Sequence, residues 1–378
     1  MSHPDYLPTG RPTIGSMRDW GQLPVEERLG VGVVGLHEGH TMLVALRASG
    51  LCRAVAGCDL AEDKRLAAAE ASPGLYLTAD YEEMLAMPDI RIVCIYTPDS
   101  LHAEQIEKAF RAGKDVVCTK PLINDAGQIG RLLKAARETG RRLQVGQSTR
   151  FYEPFMRQRR LFEAGEFGEV ECYDAHYDHR MDWYYEKSSW ASTDTDWAYL
   201  GLSHPVDLVR WYLGDIAEVH AIGTQTSLGQ AKKLEGFDVY SAHMLTRDHR
   251  KVGRVFGNYG ITELPRSRSL IEGCLMGSKG TSIARYPELR HSWIGEDGIE
   301  KDEDYHHEFA GYYYRHELKG MHYGEFANII DSFARALIDG TPNSPDLREG
   351  LQTVLVMDAI VKSAYQGRVV EVPLLEFE

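Results

Sequence analysis

From Leu29 to about Gln147 the chain alternates short apolar runs with stretches whose apolar positions recur every three or four residues. That alternation predicts consecutive βαβ units and a parallel sheet. Five strands are legible: VGVVG at 31–35, RAVAGCD at 53–59, RIVCIYT at 91–97, KDVVCTK at 114–120 and RRLQVGQ at 141–147. Segments with helical spacing, such as AEQIEKAFRAG and IGRLLKAARETG, lie between them. After Gln147 the texture changes to aromatic-rich segments with period-two alternation, GEVECYDAHYDHR and KVGRVFGNYGI among them, which suit an antiparallel sheet covered on one face. The tail returns to helical spacing in EFANIIDSFARALIDG and LREGLQTVLVMDAIVKSAYQG, then closes on the strand-like RVVEV. The expected architecture is α/β: an extended arm at 1–28, a doubly wound domain at 29–148, and an α+β domain with a large open, mostly antiparallel sheet at 149–378. The C-terminal helices are candidates to pack back on the first domain.

The glycines need care. A literal G-x-G-x-x-G occurs at Gly30, Gly32 and Gly35, but Val31, Val33 and Val34 fill its middle. An apolar run of this kind is the buried strand itself, whereas a dinucleotide turn follows the strand and opens a helix. The turn therefore begins at Gly35 and runs Gly35-Leu36-His37-Glu38-Gly39-His40, with His37 and His40 in the second and third glycine positions.

Length and charge narrow the function. A chain of 378 residues with 43% apolar content is long enough for two cores. The formal net charge of -14 argues against a nucleic-acid partner, because phosphate binding depends on Lys and Arg. No continuous apolar stretch resembles a signal peptide or a membrane span, so the expected location is the cytoplasm. The six cysteines form no C-x-x-C pair, and Cys94 and Cys118 sit within apolar runs, which indicates neither disulfides nor a cysteine metal site.

Three positions carry chemistry. Asp59 ends the second strand, 24 residues after Gly35, near the spacing expected for a carboxylate on the cofactor ribose. A carboxylate there accepts bonds from a free 2'-hydroxyl and repels a 2'-phosphate, and Leu60 and Ala61 bring no cation, so NAD is expected over NADP. A helix-capping surface aspartate is the plain alternative. Lys120 emerges from the apolar strand DVVC, where its ammonium must reach water or be held in a polar site. In Ser203-His204-Pro205-Val206-Asp207, proline near the first helical position and Gly214 past the end predict a helix with His204 at or beside its N-cap and Asp207 one turn on. The positive helix end disfavours imidazolium, leaving His204 able to accept a proton; a histidine that merely caps the helix is the alternative.

Together these residues resemble the Gfo/Idh/MocA family (glucose-fructose oxidoreductase, inositol dehydrogenase, rhizopine catabolism) over nearly all of Leu29 to Val372. The family's E-K-P element matches Thr119-Lys120-Pro121, its T-P-x-x-x-H element matches Thr97, Pro98 and His102, and its H-x-x-D element matches His204 and Asp207. VGQSTRFYEPF, EAGEFGEV, MGSKGTS and the C-terminal LQTVLVMDAIVKSAYQGRVVEV extend the agreement. The resemblance implies a Rossmann domain, an α/β domain whose open sheet joins subunits into dimers, tetramers or higher homo-oligomers, an NAD(P) cofactor, and sugar or polyol substrates. It implies Lys120, His204 and Asp207 as the acid-base group. It places Gly35, His37, Glu38, Asp59, Thr97, Pro98, His102, Lys120 and Gln147 at the cofactor. The departures are His37 and His40 for glycines, Thr119 for the glutamate, and Leu200 and Leu202 where the family carries aspartate and glycine ahead of the histidine. Loss of the glutamate should favour a lower Lys120 pKa.

The segment HYDHRMDWYYEKSSW, residues 176–190, mixes His, Asp, Arg and aromatic groups in the manner of sugar sites. Candidate substrate residues are Arg150, His179, Arg180, Trp190 and His204. Metal binding by His176, Asp178, His179 and Asp182 competes poorly, since strand alternation sends His176 and His179 to opposite faces. The expected activity is oxidation of a secondary hydroxyl of a sugar or glycoside, with C3 of a glucoside the best guess from the glucoside 3-dehydrogenase branch of the family. Alternatives are a redox-assisted glycoside-cleaving enzyme, a cyclitol (inositol) dehydrogenase, and a non-catalytic NAD-binding sensor.

Overall fold

The structure is a computed structural model that describes residues 21–265, 267–305, 322 and 324–375. Most of the expected N-terminal arm lies outside the described residues. The chain divides into two units, which are not consecutive in sequence. Unit 1 comprises residues 1–122, 127–151 and 308–349; unit 2 comprises 123–126, 152–307 and 350–378.

Unit 1 is built on a six-stranded parallel sheet. Its strands are β1 (Leu29–Val34), β2 (Cys52–Cys58), β3 (Tyr76–Thr78), β4 (Ile92–Ile95), β5 (Asp115–Thr119) and β6 (Leu143–Gly146), in the order β3-β2-β1-β4-β5-β6. The order reverses between β2-β1 and β1-β4, which is the switch point where open α/β sheets bind ligands beyond their carboxyl ends. Val31, Val33, Ile92, Val93, Cys94, Val116 and Val117 are all inaccessible, as expected of strands covered on both faces. The edge strand β3 is the one the apolar pattern passed over. It has three residues, and only Thr78 is buried. The helix Glu325–Asp339 also belongs to unit 1: Asp331 accepts from Ser49 Oγ and, at 3.3 Å, from the Gly50 amide after the first crossover helix, Gly39–Ala48. Asn343 donates to the Leu143 carbonyl at 2.8 Å, and the Val145 amide donates to Pro345 at 2.9 Å. The chain thus returns some 200 residues later to finish the β6 edge of the sheet.

Unit 2 carries a nine-stranded sheet. Its strands are β7 (Val170–His179), β8 (Ile216–Thr224), β9 (Val239–Thr246), β10 (Val252–Asn258), β11 (Ser269–Gly277), β12 (Thr281–Tyr286), β13 (Arg290–Ile294), β14 (Glu300–Asp304) and β15 (Val370–Glu371). Their order is β14-β13-β12-β11-β7-β10-β9-β8-β15, and only the β7–β10 pairing is parallel. Alternation is clean in β10, where Gly253, Val255 and Gly257 are buried and Val252, Arg254 and Phe256 exposed. The helix Ser203–Leu213 covers the buried face. It packs so closely that a Cβ on Gly253 would come within 2.3 Å of Val209 Cγ1, and Tyr212 stacks on Tyr173 of β7 at 4.6 Å. No helix among the described residues is long and apolar enough to cross a membrane.

Candidate active site

In unit 1 the turn after β1 is shaped for a close backbone approach. Gly35 adopts φ +84°, and a Cβ there would lie 2.6 Å from the Tyr96 backbone, so only glycine fits. The helix begins at Gly39, whose added Cβ would meet Val33 Cγ1 at 2.7 Å. Gly39 therefore performs the helix-strand packing expected of a third glycine, one residue earlier than His40. His37 and His40 are half-buried and Glu38 is exposed.

Asp59 stands at the end of β2 with one carboxylate oxygen held by the Leu36 amide at 2.8 Å and the other by the Ala61 amide at 2.9 Å. These bonds fix its orientation beside the turn. The side chain that sequence reasoning missed is Arg65, whose guanidinium bonds the carbonyls of Asp59 and Leu60 at 2.7 and 2.9 Å. It lies one helical turn past the residues inspected for a cation, so proximity along the chain concealed it.

The loops after β4 and β5 are tied together by His102. Its Nδ1 lies 3.0 Å from the Pro121 carbonyl oxygen and its Nε2 lies 2.9 Å from that of Thr97. Burial holds this imidazole below its ordinary pKa although the Asp99 carboxylate opposes the effect. His102, expected at the cofactor, is a brace 1% exposed that fixes Thr97-Pro98 against Lys120-Pro121. Thr97 donates its hydroxyl to Gln105 Oε1 at 2.5 Å, and Gln147 follows β6, 2% exposed. Lys120 is half-buried. Burial lowers its ammonium pKa to about 8, with the Glu38 and Asp99 carboxylates pulling the other way. The expected direction holds, and its cause is desolvation.

Arg150 belongs to unit 1 and is 3% exposed. Its guanidinium bonds Ser344 Oγ and Glu349 Oε1, each at 2.9 Å. A buried cation needs such partners, and these bonds join the returning segment to the end of β6.

Unit 2 gathers the other candidates. The helix holding His204 starts at Ser203, so His204 is its second residue, and it is 5% exposed with Asp207 at 1%. Tyr177 of β7 lies edge-on between His204 (ring centroids 5.6 Å) and His179 (5.7 Å). Trp183 follows at 6.1 Å from His179, then Tyr184 and Trp190 in successive edge contacts of 5.6 and 6.2 Å. Behind Tyr177 stand Tyr259 and Trp197, stacked on each other at 4.8 Å. His179, Trp190 and His204 thus join one array of imidazoles and aromatic rings. Tyr177 was missed, yet it sits two residues before His179 and so shares its face. Arg180 is held by both oxygens of Asp182 at 3.0 Å and by Glu263 at 2.7 Å, which offsets its charge. His176 and Asp178 alternate to the opposite face of β7 from Tyr177, and among the described residues no three His, Cys, Asp or Glu side chains are grouped as metal ligands.

Residues 29–147 match the sequence family described as an oxidoreductase family with an NAD-binding Rossmann fold, and residues 159–372 match the C-terminal alpha/beta domain of the same family, GFO_IDH_MocA. An inositol 2-dehydrogenase of Rhizobium meliloti is 28% identical over 325 residues, spanning 81% of this chain and 88% of that enzyme. An inositol 2-dehydrogenase of Gluconacetobacter diazotrophicus is 34% identical over 191 residues, 49% of this chain and only 54% of that enzyme. Among solved structures, a levoglucosan dehydrogenase in complex with NADH and levoglucosan superposes with a TM-score of 0.78 at 21% identity, covering 92% of this chain and all of that one, which shows a shared fold.

Proposed function

The chain belongs to the Gfo/Idh/MocA family of NAD-dependent oxidoreductases, and from that premise we propose that it oxidises a secondary hydroxyl of a sugar, glycoside or cyclitol, with C3 of a glucoside the first position to test. The observation that carries this reading is the array in unit 2 that sets His204 among Tyr177, His179 and Trp183. Flat rings suit the C-H face of a pyranose or cyclitol, while imidazole nitrogens meet its hydroxyls. The names of the inositol and levoglucosan relatives point to the same substrate class.

The residues of the turn fit a dinucleotide: Gly35 admits close backbone approach, and Asp59 keeps lone pairs for a ribose diol. When bound, the oxidised nicotinamide supplies the hydride acceptor. His204 accepts the proton of the reacting hydroxyl, with Asp207 orienting it, while Lys120, largely ammonium at neutral pH, donates a hydrogen bond to the oxygen as alkoxide character develops. Deleting either group should slow the chemistry without preventing cofactor binding.

An anaerobic screen of free sugars, glycosides and inositols with NAD tests the reading by following reduced cofactor together with sugar products. Stoichiometric NADH and a keto product support it. Release of an aglycone without net NADH identifies redox-assisted cleavage instead, and NAD binding with no turnover of any member would defeat the enzymatic reading.

A further inference from the structure

Unit 2 sets two arginines opposite one another where β7 and β11 end and begin. The strand register pairs His179 with Ser269, and one residue further the Arg180 amide donates to the Arg268 carbonyl at 2.8 Å. Their side chains differ in what they touch. Arg180 spends all three guanidinium nitrogens on carboxylates: Nε and Nη2 donate to the two oxygens of Asp182, each at 3.0 Å, and Nη1 donates to Glu263 at 2.7 Å. Arg268 is exposed, and no carboxylate among the described residues pairs with it. Its guanidinium lies instead over the Trp183 ring, 5.1 Å from the centroid.

Trp183 belongs to the array around His204. Its indole nitrogen donates to the Arg180 carbonyl at 2.8 Å, which fixes the ring. Its centroid is 6.1 Å from that of His179, and the rings lead on through Tyr177 at 5.7 Å to His204 at 5.6 Å. The Lys187 ammonium stands 5.4 Å from the same indole centroid. Two cations therefore border the outer end of a row of rings whose inner end is the proposed base. Burial pushes the Tyr177 phenol above its ordinary value, with Tyr184 adding to the effect and Arg268 opposing it.

This placement runs against the charge of the whole chain. Asp and Glu number 56 against 42 Lys and Arg, so carboxylates are in excess, yet none is set against Arg268. A guanidinium held by its face on an aromatic ring keeps its N–H edge for a planar anion, the geometry of a bidentate carboxylate contact. Arg180, the arginine expected at the substrate, is neutralised by its own carboxylates.

We propose that the substrate is an acidic sugar, a hexuronate either free or as one unit of a glycoside, whose carboxylate is bound by Arg268 while a hydroxyl is presented to His204. The proposal deepens the reading of the unit 2 array as a sugar site and rests on it. Trp183 and Arg268 act together, the indole offering ring surface and holding the guanidinium in place. One guanidinium matches the single charge of a carboxylate; a sugar phosphate, with close to two negative charges at neutral pH, is the competing anion.

The test measures calorimetrically the binding of matched sugars to the full chain loaded with NAD: glucose with glucuronate, galactose with galacturonate, and a glucosyl disaccharide with its uronosyl counterpart. At least one acidic member should bind about 10-fold or more tightly than its neutral partner. The margin should narrow as salt is raised, because Arg268 is exposed. Arg268→Gln should abolish it, and Arg268→Lys should recover only part of it. Neutral members that bind as tightly as their acidic partners in every pair, or a margin that survives in Arg268→Gln, would overturn the proposal alone. An Arg268-dependent preference for glucose 6-phosphate over glucuronate would overturn the carboxylate and assign the site to phosphate. Absence of binding by every sugar, acidic or neutral, would overturn the proposal together with the sugar-site reading beneath it.

Discussion

At the scale of single residues, the proposed mechanism divides one task between Lys120 and His204 by charge. With a pKa of about 8, Lys120 is roughly nine-tenths ammonium at pH 7, so it serves better as a hydrogen-bond donor to a developing alkoxide than as a proton acceptor. An imidazole with an unperturbed value near 6.5 is the natural acceptor at that pH. Lys120→Ala and His204→Ala should therefore each lower the hydride-transfer rate about 100-fold or more while NAD affinity stays within a few-fold. The pH profile separates the roles. Activity should fall on the acid side if the base at 204 gains a proton, and on the alkaline side as Lys120 loses its proton near 8. His204→Ala should erase the acid limb and keep the alkaline one, and Lys120→Ala should do the opposite. Loss of the acid limb in the lysine variant would reverse the assignment.

At the scale of elements, the proposed reading assigns cofactor choice to the β1 turn and the end of β2. Asp59 is held by two backbone amides and aimed beside Gly35, where a 2'-phosphate would meet its charge. Replacing it while adding a cation, as in Asp59→Ser with Leu60→Arg, should shift kcat/KM toward NADP, and Arg65, on the first turn of the following helix, already bonds the carbonyls of 59 and 60. A double variant as selective for NAD as the parent would show that Asp59 does not contact the ribose. Strand β1 was legible because burial on both faces imposes a continuous apolar run, and the same logic exposed Gly30 and Gly32 as strand residues rather than the cofactor turn. The edge strand β3 escaped, because three residues with one buried side leave no pattern. In the site, Asp59, Lys120 and His204 announce themselves at element ends. Arg150 does not: what its side chain does depends on the return of Ser344 and Glu349 to the end of the first sheet, a contact between distant parts of the chain that local periodicity does not encode.

At the scale of the whole molecule, the face of the nine-stranded sheet that is left exposed among the described residues is the feature that calls for a partner. Register aligns Ile222, Ser241, Phe256, His176, Glu272 and Arg285 in one row across six strands, and Leu245, Val252, Cys172, Met276, Thr281 and Ile294 in another. Ile222 is 63% exposed, Val252 44%, Phe256 38% and Ile294 42%. Between the two rows runs a third that contains the Arg254–Asp174 ion pair. Exposed apolar side chains set among the Arg254–Asp174 and Arg285–Glu272 ion pairs suit a second copy of the same surface related by a two-fold axis, because the apolar groups can then be covered and each charge can meet its opposite. We therefore expect a homo-oligomer joined through this face. Phe256→Glu places a charge on this exposed face without touching the helix-covered side of the sheet, so it should dissociate the assembly while leaving NAD binding within a few-fold. Light scattering coupled to size-exclusion chromatography decides the matter: a wild-type chain that elutes as a monomer at working concentration, or a Phe256→Glu chain that assembles as the wild type does, would place the interface elsewhere.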